Sequence, residues 1–144
     1  MNITLYINEK KTDPEYQKAI DEYIKRTSAF ININKKLFKN PSDIKPGKSS
    51  YVFIVRCGKD SITSEAFAKK ISDLNLSGFS SIDFIISEDN ELIEQLLIRL
   101  DNAEVSYDSF TVLSMKLKND ALCTALAEQI YRAYTINNHI SYHK

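Results

Sequence analysis

Two short stretches, Tyr51-Val52-Phe53-Ile54-Val55 and Ile82-Asp83-Phe84-Ile85-Ile86, are almost continuously apolar and rich in β-branched and aromatic residues. Successive side chains of a strand point to opposite faces, so an unbroken apolar run predicts a strand that is covered on both faces. Such strands are typical of a parallel sheet that lies between helices. The two stretches therefore predict an α/β fold.

Strand and helix patterns alternate on both sides of these stretches. Further strands are predicted over residues 3–7, near 30–33 and over 109–115. Helices are predicted over residues 12–24, 63–78, 92–100 and 121–134. Thr12 and Glu15 have the spacing of a capping box, Pro14 suits a first turn, and Gly78 is placed to end a helix. The alternation predicts one domain, residues 1–144, with a mainly parallel sheet and helices on both faces.

Length and composition are those of an ordinary globular domain. The 144 residues suffice to bury a core without disulfides, and 43% hydrophobic with 26% charged residues excludes a disordered chain. Cys57 and Cys123 lie far apart in apolar runs, with no His or second Cys at ligand spacing. Both are predicted to be reduced and buried, and no metal site is expected.

The sequence shows no sign of export or of membrane insertion. Residues 1–5 lack the basic region and apolar stretch of a signal peptide. No apolar run approaches the roughly 20 residues that a membrane helix needs. We expect a cytoplasmic protein without a membrane partner.

Charge is balanced over the whole chain but not along it. The 19 basic and 19 acidic residues give a formal net charge of zero, which indicates no nucleic-acid partner. Five lysines nevertheless fall in one short stretch interrupted by prolines, which we predict to be a loop: Lys35, Lys36, Lys39, Lys45 and Lys48. This loop is either a solvated surface or a contact to a phosphate backbone, which lysines bind without sequence selection.

No generic nucleotide-binding or catalytic motif is present. The three glycines are too few for a phosphate-binding loop, and there is no nucleophile elbow and no metal-binding helix motif. In parallel sheets, ligands bind beyond the carboxyl ends of the strands. A site is therefore expected in the segments that follow Val55, Ile86 and Leu113.

The end of the chain is dense in aromatic and charged residues. The run Glu128-Gln129-Ile130-Tyr131-Arg132-Ala133-Tyr134-Thr135-Ile136 is followed by a tail that ends in Tyr142-His143-Lys144. Spacings of three and four place Glu128, Tyr131, Arg132 and Thr135 on one helical face. Taken alone, that face is compatible with a solvated surface that carries a Glu128–Arg132 ion pair, followed by a frayed terminus.

Together with earlier segments, this ending resembles the ribosomal RNA large subunit methyltransferase H family, small bacterial enzymes of the SPOUT class. Residues 19–26, A-I-D-E-Y-I-K-R, are similar to the family's first helix. Residues 55–59, V-R-C-G-K, leading to Ser64-Glu65-Ala66, are similar to its G-K…S-S-E-x-x-A stretch. Each signal is weak by itself, but their order in a chain of this length is specific, and the resemblance covers nearly the whole chain.

The resemblance implies a deep trefoil knot over about residues 82–144 and an obligate homodimer with active sites at the subunit interface. It implies methyl transfer from S-adenosylmethionine to N3 of a pseudouridine in 23S ribosomal RNA within the assembled ribosome. By match to the family's motifs, the expected catalytic residues are Arg132, Tyr142 and His143. The expected cofactor-binding residues are Ile54, Ser87, Val112, Leu113, Ser114, Met115, Lys116 and Leu117.

Three segments depart from the family pattern. Residues 86–91, I-S-E-D-N-E, replace a glycine-rich loop of the form I-G-G-x-x-G, and residues 116–119, K-L-K-N, replace T-x-P-H, with Cys123 at the position of an arginine. The stretch after the second strand is also shorter. Side chains narrow the space that glycines leave for a cofactor. Two functions stay open: an active rRNA methyltransferase with a divergent cofactor loop, and a non-catalytic or re-purposed SPOUT-fold dimer that binds RNA or protein.

Overall fold

A computed structural model describes residues 1–142 of the protein. Its strands are β1 (Asn2–Ile7), β2 (Asn32–Leu37), β3 (Ser50–Cys57), β4 (Ser81–Ile86) and β5 (Ser106–Leu113). Its α-helices are α1 (Pro14–Thr27), α2 (Ser64–Leu76), α3 (Asn90–Asn102) and α4 (Asn119–Asn137). A short 3-10 helix spans Pro41–Asp43.

The strands form one sheet in the order β2-β1-β4-β3-β5, and every neighbouring pair is parallel. In β1, Leu5 lies opposite Lys35 of β2 and Phe84 of β4. The pairing of β3 with β5 shifts its register between Arg56 and Cys57. The predicted parallel sheet is confirmed, and the carboxyl ends of all its strands meet at one edge.

Helices cover both faces of the sheet, as predicted. On one face the buried side chains of α1, α2 and α4 pack against the strands, where the rings of Phe53 and Phe84 stack with centres 5.2 Å apart. On the other face Ile54 and Ile85 pack against buried leucines of α3. Burying each such side chain stabilises the fold by about 1.5–3 kcal/mol. The continuous apolar pattern of β3 and β4 is explained by these two layers.

β2 lies later in the chain than predicted, and it contains two of the five clustered lysines. Lys35 and Lys36 are strand residues rather than loop residues. β2 pairs with β1 alone, so it is an edge strand, where charged side chains are common because one side meets solvent. The Lys35 Nζ lies 3.1 Å from an Asp21 carboxylate oxygen of α1, so this lysine binds within the fold.

The capping residue of α1 also differs from the prediction. The Asp13 carboxylate, and not the Thr12 hydroxyl, caps the helix by accepting a hydrogen bond from the Glu15 N–H at 3.0 Å. The Thr12 hydroxyl instead donates to the Gln17 side chain at 3.0 Å. Asp is as good a cap as Thr, and Pro14 fits the first helical position after either residue.

Other predictions hold with shifted bounds or exposure. Gly78, at φ 89°, ends α2, with its N–H donating to the Asn75 carbonyl. β5 begins three residues before the predicted start, and α4 extends beyond both predicted ends. Both thiols are free; Cys123 is fully buried, but Cys57 is partly exposed because it ends β3 at the open edge of the sheet.

Candidate active site

A cavity of about 230 Å³ opens at the carboxyl edge of the sheet. Residues 55–58 from the end of β3, Ser87 and Glu88 after β4, and Ser114 and Lys116 after β5 all line it. Three strand ends that are distant in sequence therefore converge here. This is the place where the sequence predicts a site.

The loop after β4 is held by polar side chains. The buried Ser87 hydroxyl accepts a hydrogen bond from the Asp89 N–H at 3.1 Å. The Asp89 carboxylate in turn accepts from the Leu92 N–H at 3.1 Å and so caps α3. These bonds fix the backbone of the loop and leave the exposed Glu88 side chain at the cavity.

The cavity carries charge of both signs. Arg56 and Lys116 line it together with Glu88. An Arg56 Nη donates to the Asn90 side-chain oxygen at 3.4 Å, and within residues 1–142 neither Arg56 nor Lys116 forms an ion pair. This lining suits an amino-acid-like ligand that has a carboxylate and a positive charge. The residues thus fit the methionine part of S-adenosylmethionine.

The cavity alone is smaller than the ~300–1,000 Å³ of typical small-molecule sites. A separate groove of about 530 Å³ shares one lining residue, Leu117, with the cavity. The groove runs between α1 and α4, where Tyr16, Tyr23 and Glu128 contribute to its wall. Leu117 is thus the point at which a ligand larger than the cavity could extend toward the groove.

The eight predicted cofactor residues divide between these spaces. The cavity includes Ser87, Ser114, Lys116 and Leu117. The groove includes Val112, Leu113 and again Leu117. Ile54 is only 2% exposed and packs on the α3 side of the sheet, while Met115 is 68% exposed and lines neither space. The structure therefore places four of the eight at the cavity and two more at the groove.

Arg132 and Tyr142 lie together beside α4. The Cζ atom of Arg132 is 5.6 Å from the centre of the Tyr142 ring. The Tyr142 ring meets Tyr131 edge-on at 5.3 Å, and Tyr131 lies 6.3 Å from Tyr23 of α1. Neither Arg132 nor Tyr142 lines the cavity of its own chain, and His143 is outside the described residues.

A tight turn after α4 directs the tail back onto the helix. The Ile140 N–H donates to the Thr135 carbonyl at 2.9 Å and the His139 N–H to the Ile136 carbonyl at 3.2 Å, the pattern of a Schellman motif. His139 has φ 56° at the position where glycine is usual. A residue with a Cβ costs roughly 1–2 kcal/mol there.

Tyr142 is held in its neutral form. Burial raises the pKa of its hydroxyl, and the neighbouring Glu128 carboxylate and Tyr23 hydroxyl raise it further. A neutral phenol donates hydrogen bonds and does not accept a proton at neutral pH. Tyr142 can therefore orient a substrate, whereas a base must come from elsewhere.

Two expectations about this helical face are wrong. Among the described residues Glu128 forms no ion pair with Arg132, because its carboxylate faces Tyr142 and accepts from the Gln129 amide at 2.7 Å. Thr135 is buried, and its hydroxyl donates to the Arg132 carbonyl at 2.7 Å. The face is a packed cluster and not a solvated surface.

Sequence reasoning did not assign Asn119 to the site. This buried side chain donates from Nδ2 to the Asn8 carbonyl at 3.0 Å and to the Glu9 carboxylate at 3.2 Å. It connects the loop after β1 to the start of α4, beside the predicted cofactor segment. Its Oδ1 has no partner within residues 1–142. Partners this far apart in sequence leave no local signal. Arg56 was not assigned to the site either, although it directly follows Val55, where the sequence analysis expected a site.

Within residues 1–142, no helix combines the length and the apolar character needed to cross a bilayer. The same residues contain no group of three His, Cys, Asp or Glu side chains placed to hold a metal ion.

Comparison with known proteins identifies the family. A family model described as "Predicted SPOUT methyltransferase" matches residues 1–143. The ribosomal RNA large subunit methyltransferase H 1 of Thermoanaerobacter sp. (strain X514) is 34% identical over 148 residues, with 100% of both chains covered. The methyltransferase H proteins of Clostridioides difficile (strain 630) and Lactobacillus johnsonii (strain CNCM I-12250 / La1 / NCC 533) are 31% and 30% identical over 166 and 167 residues, again with full coverage. The resemblance seen in the sequence is confirmed, and the chain belongs to the SPOUT methyltransferase family, alongside relatives named ribosomal RNA large subunit methyltransferase H.

Proposed function

We propose that the protein transfers a methyl group from S-adenosylmethionine to N3 of a pseudouridine in 23S ribosomal RNA within the assembled ribosome. The observation that carries the proposal is the cavity where the ends of β3, β4 and β5 converge, in a chain of the methyltransferase family. The relatives' names give large-subunit ribosomal RNA as their substrate. The pseudouridine and its N3 follow from the family resemblance.

The chain's own residues would hold the cofactor at this edge. Arg56 and Lys116 are the cations that would bind its carboxylate, and Ser87 and Ser114 offer hydroxyls. Leu117, shared by cavity and groove, offers apolar surface to the nucleoside part. S-adenosylmethionine supplies an electrophilic methyl group on a sulfonium.

The C-terminal cluster would act on the base. N3 must lose its proton before it is methylated, and the resulting anion needs a positive partner. Arg132 supplies that charge or binds a neighbouring phosphate, and the neutral Tyr142 hydroxyl orients the base by donating a hydrogen bond. We assign His143, which lies outside the described residues, as the proton acceptor. Positioning contributes much of the rate in such a reaction.

A homodimer belongs to the same proposal. Arg132 and Tyr142 do not line the cavity of their own chain, so a second copy whose tail reaches the cavity would complete the site. Sedimentation analysis that shows only monomers would contradict the dimer.

We further propose that residues 1–144 form one cytoplasmic domain and that the knot spans about residues 82–144.

Calorimetric titration tests the cofactor step, and nucleoside mass spectrometry of treated ribosomes tests the transfer. We expect micromolar binding of S-adenosylmethionine at one site per subunit, and N3-methylpseudouridine in ribosomes incubated with both. The Arg132→Ala variant serves as the matched control, because it should bind cofactor and fail in the transfer. No binding by a folded protein up to millimolar ligand would overturn the proposal.

One observation favours the alternative, a non-catalytic module that binds RNA or protein. Ser87 and Glu88 occupy the lining where the family has glycines, and the cavity is small. A folded dimer that binds ribosomal RNA but not S-adenosylmethionine would establish this alternative.

A further inference from the structure

We propose that three lysines beside the cavity, Lys10, Lys11 and Lys118, bind the phosphate backbone of the ribosomal RNA. We call these three residues the lysine rim. The inference rests on the proposed function and names the surface on which the RNA would lie. A base that reaches the cavity brings its own backbone with it, so phosphates of the neighbouring nucleotides come close to the surface around the cavity. Contacts to such phosphates position a nucleic acid without reading its sequence.

The lysine rim lies on two segments at the carboxyl edge of the sheet, where the cavity opens. Lys10 and Lys11 belong to the loop between β1 and α1. Lys118 directly precedes α4 and lies in the chain between Leu117 and Leu122, which both line the cavity. All three lysines are exposed, and within residues 1–142 none of them forms an ion pair. Their charges are therefore available to a partner.

Hydrogen bonds join the two segments. The buried Asn119 side chain donates to the Asn8 carbonyl at 3.0 Å and to the Glu9 carboxylate at 3.2 Å. The Asp13 N–H donates to the Asp120 carboxylate at 3.1 Å. These bonds hold the loop after β1 against the start of α4 on both sides of the two loop lysines. The three lysines therefore form one surface rather than two independent ones.

The acidic residues of the same segments do not cancel the charge of the rim. Asp13 and Asp120 accept hydrogen bonds from backbone N–H groups at the first turns of α1 and α4. The positive end of each helix dipole compensates part of the charge of these carboxylates. The Glu9 carboxylate accepts from the Asn119 side chain. The carboxylates are thus engaged within the fold, whereas the lysines are not.

The test is ribosome binding by the full chain, measured by filter binding without cofactor over a range of salt concentrations. The rim variant changes all three rim lysines to Gln. The control variant changes three other exposed lysines to Gln, namely Lys25, Lys45 and Lys48, which lie before the starts of β2 and β3, toward the opposite edge of the sheet. Within residues 1–142 these lysines form no ion pair either. Both variants remove the same charge, so they differ only in where it is removed.

Salt dependence measures the number of phosphate contacts, because each contact releases counterions from the nucleic acid. Three contacts contribute about 2 to 3 to the slope of log affinity against log salt concentration. Raising the salt from about 50 to about 200 mM should therefore weaken ribosome binding by the wild type about 20- to 40-fold more than binding by the rim variant. We expect the control variant to follow the wild type. Calorimetry should give the same affinity for S-adenosylmethionine in all three proteins.

Equal salt dependence in the wild type and the rim variant, or an equal loss in the control variant, would overturn the inference. A difference between the wild type and the rim variant that is seen with ribosomes but not with protein-free 23S ribosomal RNA would also overturn it, because a ribosomal protein would then be the partner. The binding assay needs neither cofactor nor turnover. A wild-type protein that binds ribosomes through the rim but never methylates them would therefore overturn the proposed function and leave this inference intact.

Discussion

The guanidinium of Arg132 lies over the ring of Tyr142, with 5.6 Å between Cζ and the ring centre. A cation–π contact between partly exposed side chains such as these contributes about 0.5–1 kcal/mol. The contact holds the tail against α4 and keeps both side chains at one point. The positive charge of Arg132 and the hydroxyl of Tyr142 thus lie close together. The proposed reaction, which forms an anion on a nucleobase, would use both groups.

We predict that replacing Arg132 separates methyl transfer from cofactor binding. For Arg132→Ala we expect methyl transfer to fall by about 100-fold or more, as when one donor to a developing anion is removed, with cofactor affinity unchanged. Arg132→Lys should recover part of the rate, because it keeps the charge without the planar fork. Single-turnover rates and calorimetry measure the two quantities. Full activity of Arg132→Ala would exclude the assigned role.

Asp83 makes stability depend on pH. This buried carboxyl of β4 has its pKa raised to about 6 by burial, which the charge of Lys36 partly opposes. The pKa of Asp83 in the folded protein lies above its value in the unfolded chain. The contribution of Asp83 to the free energy of unfolding is therefore most favourable below about pH 4 and is lost as the pH rises through about 6. The difference corresponds to about 3 kcal/mol.

The Asp83→Asn variant isolates that contribution. We expect it to be more stable than the wild type at about pH 8 and nearly equal to it at about pH 4, in urea unfolding experiments. Asp73→Asn, at an exposed carboxylate paired with Lys69, is the control. A stability difference between Asp83→Asn and wild type that does not vary with pH would contradict the prediction.

The two cysteines report on the cavity. Cys57 lines it and is partly exposed, whereas Cys123 is fully buried and burial raises its pKa to about 12. Iodoacetamide should therefore label Cys57 and leave Cys123 unlabelled in the native protein. Bound S-adenosylmethionine should slow the labelling several-fold. Peptide mass spectrometry reads both sites, and Cys57→Ser should abolish native labelling; equal labelling with and without cofactor would place the cofactor elsewhere.

Asn119 contributes to stability through the loop after β1. Asn119→Ala removes donors to the Asn8 carbonyl and the Glu9 carboxylate, and we expect a loss of about 1–3 kcal/mol. Asn119→Asp should be worse, because it sets a second carboxylate against Glu9. Asn137→Ala, which loses one bond to the Ala68 carbonyl, is the matched control with a smaller loss. Denaturant unfolding measures all three, and a loss no greater than that of Asn137→Ala would be contrary to expectation.

The sequence predicts the sheet well where one physical cause dominates. β3 and β4 are covered on both faces, so their apolar runs are unambiguous. β2 is misplaced because four of the six residues of this edge strand, N-I-N-K-K-L, are Asn or Lys, so the segment resembles a polar loop. The position of the cavity follows from the parallel topology, since every strand ends at the same edge.

Local patterns could not predict the contacts that complete the site. Arg132 contacts Tyr142 because the chain turns at His139, which has a left-handed backbone conformation. A glycine would have indicated such a turn in the sequence, but this position is a histidine. Asn119 reaches Asn8 across 111 positions of the chain. Helical spacing also indicated a solvated face at Thr135, which the structure buries, because spacing defines a face without saying what packs against it.

The internal place of β1 in the sheet, between β2 and β4, has a consequence for synthesis on the ribosome. β1 is the first strand to emerge, yet one of its two partners is β4, which ends at Ile86. At about 5–20 residues per second, roughly 4–15 seconds pass between the emergence of β1 and that of β4. During that interval one edge of an apolar strand has no native partner, and unpaired edges promote association between chains. The nascent N-terminal half thus depends on the later half to cover its own hydrogen-bonding edge.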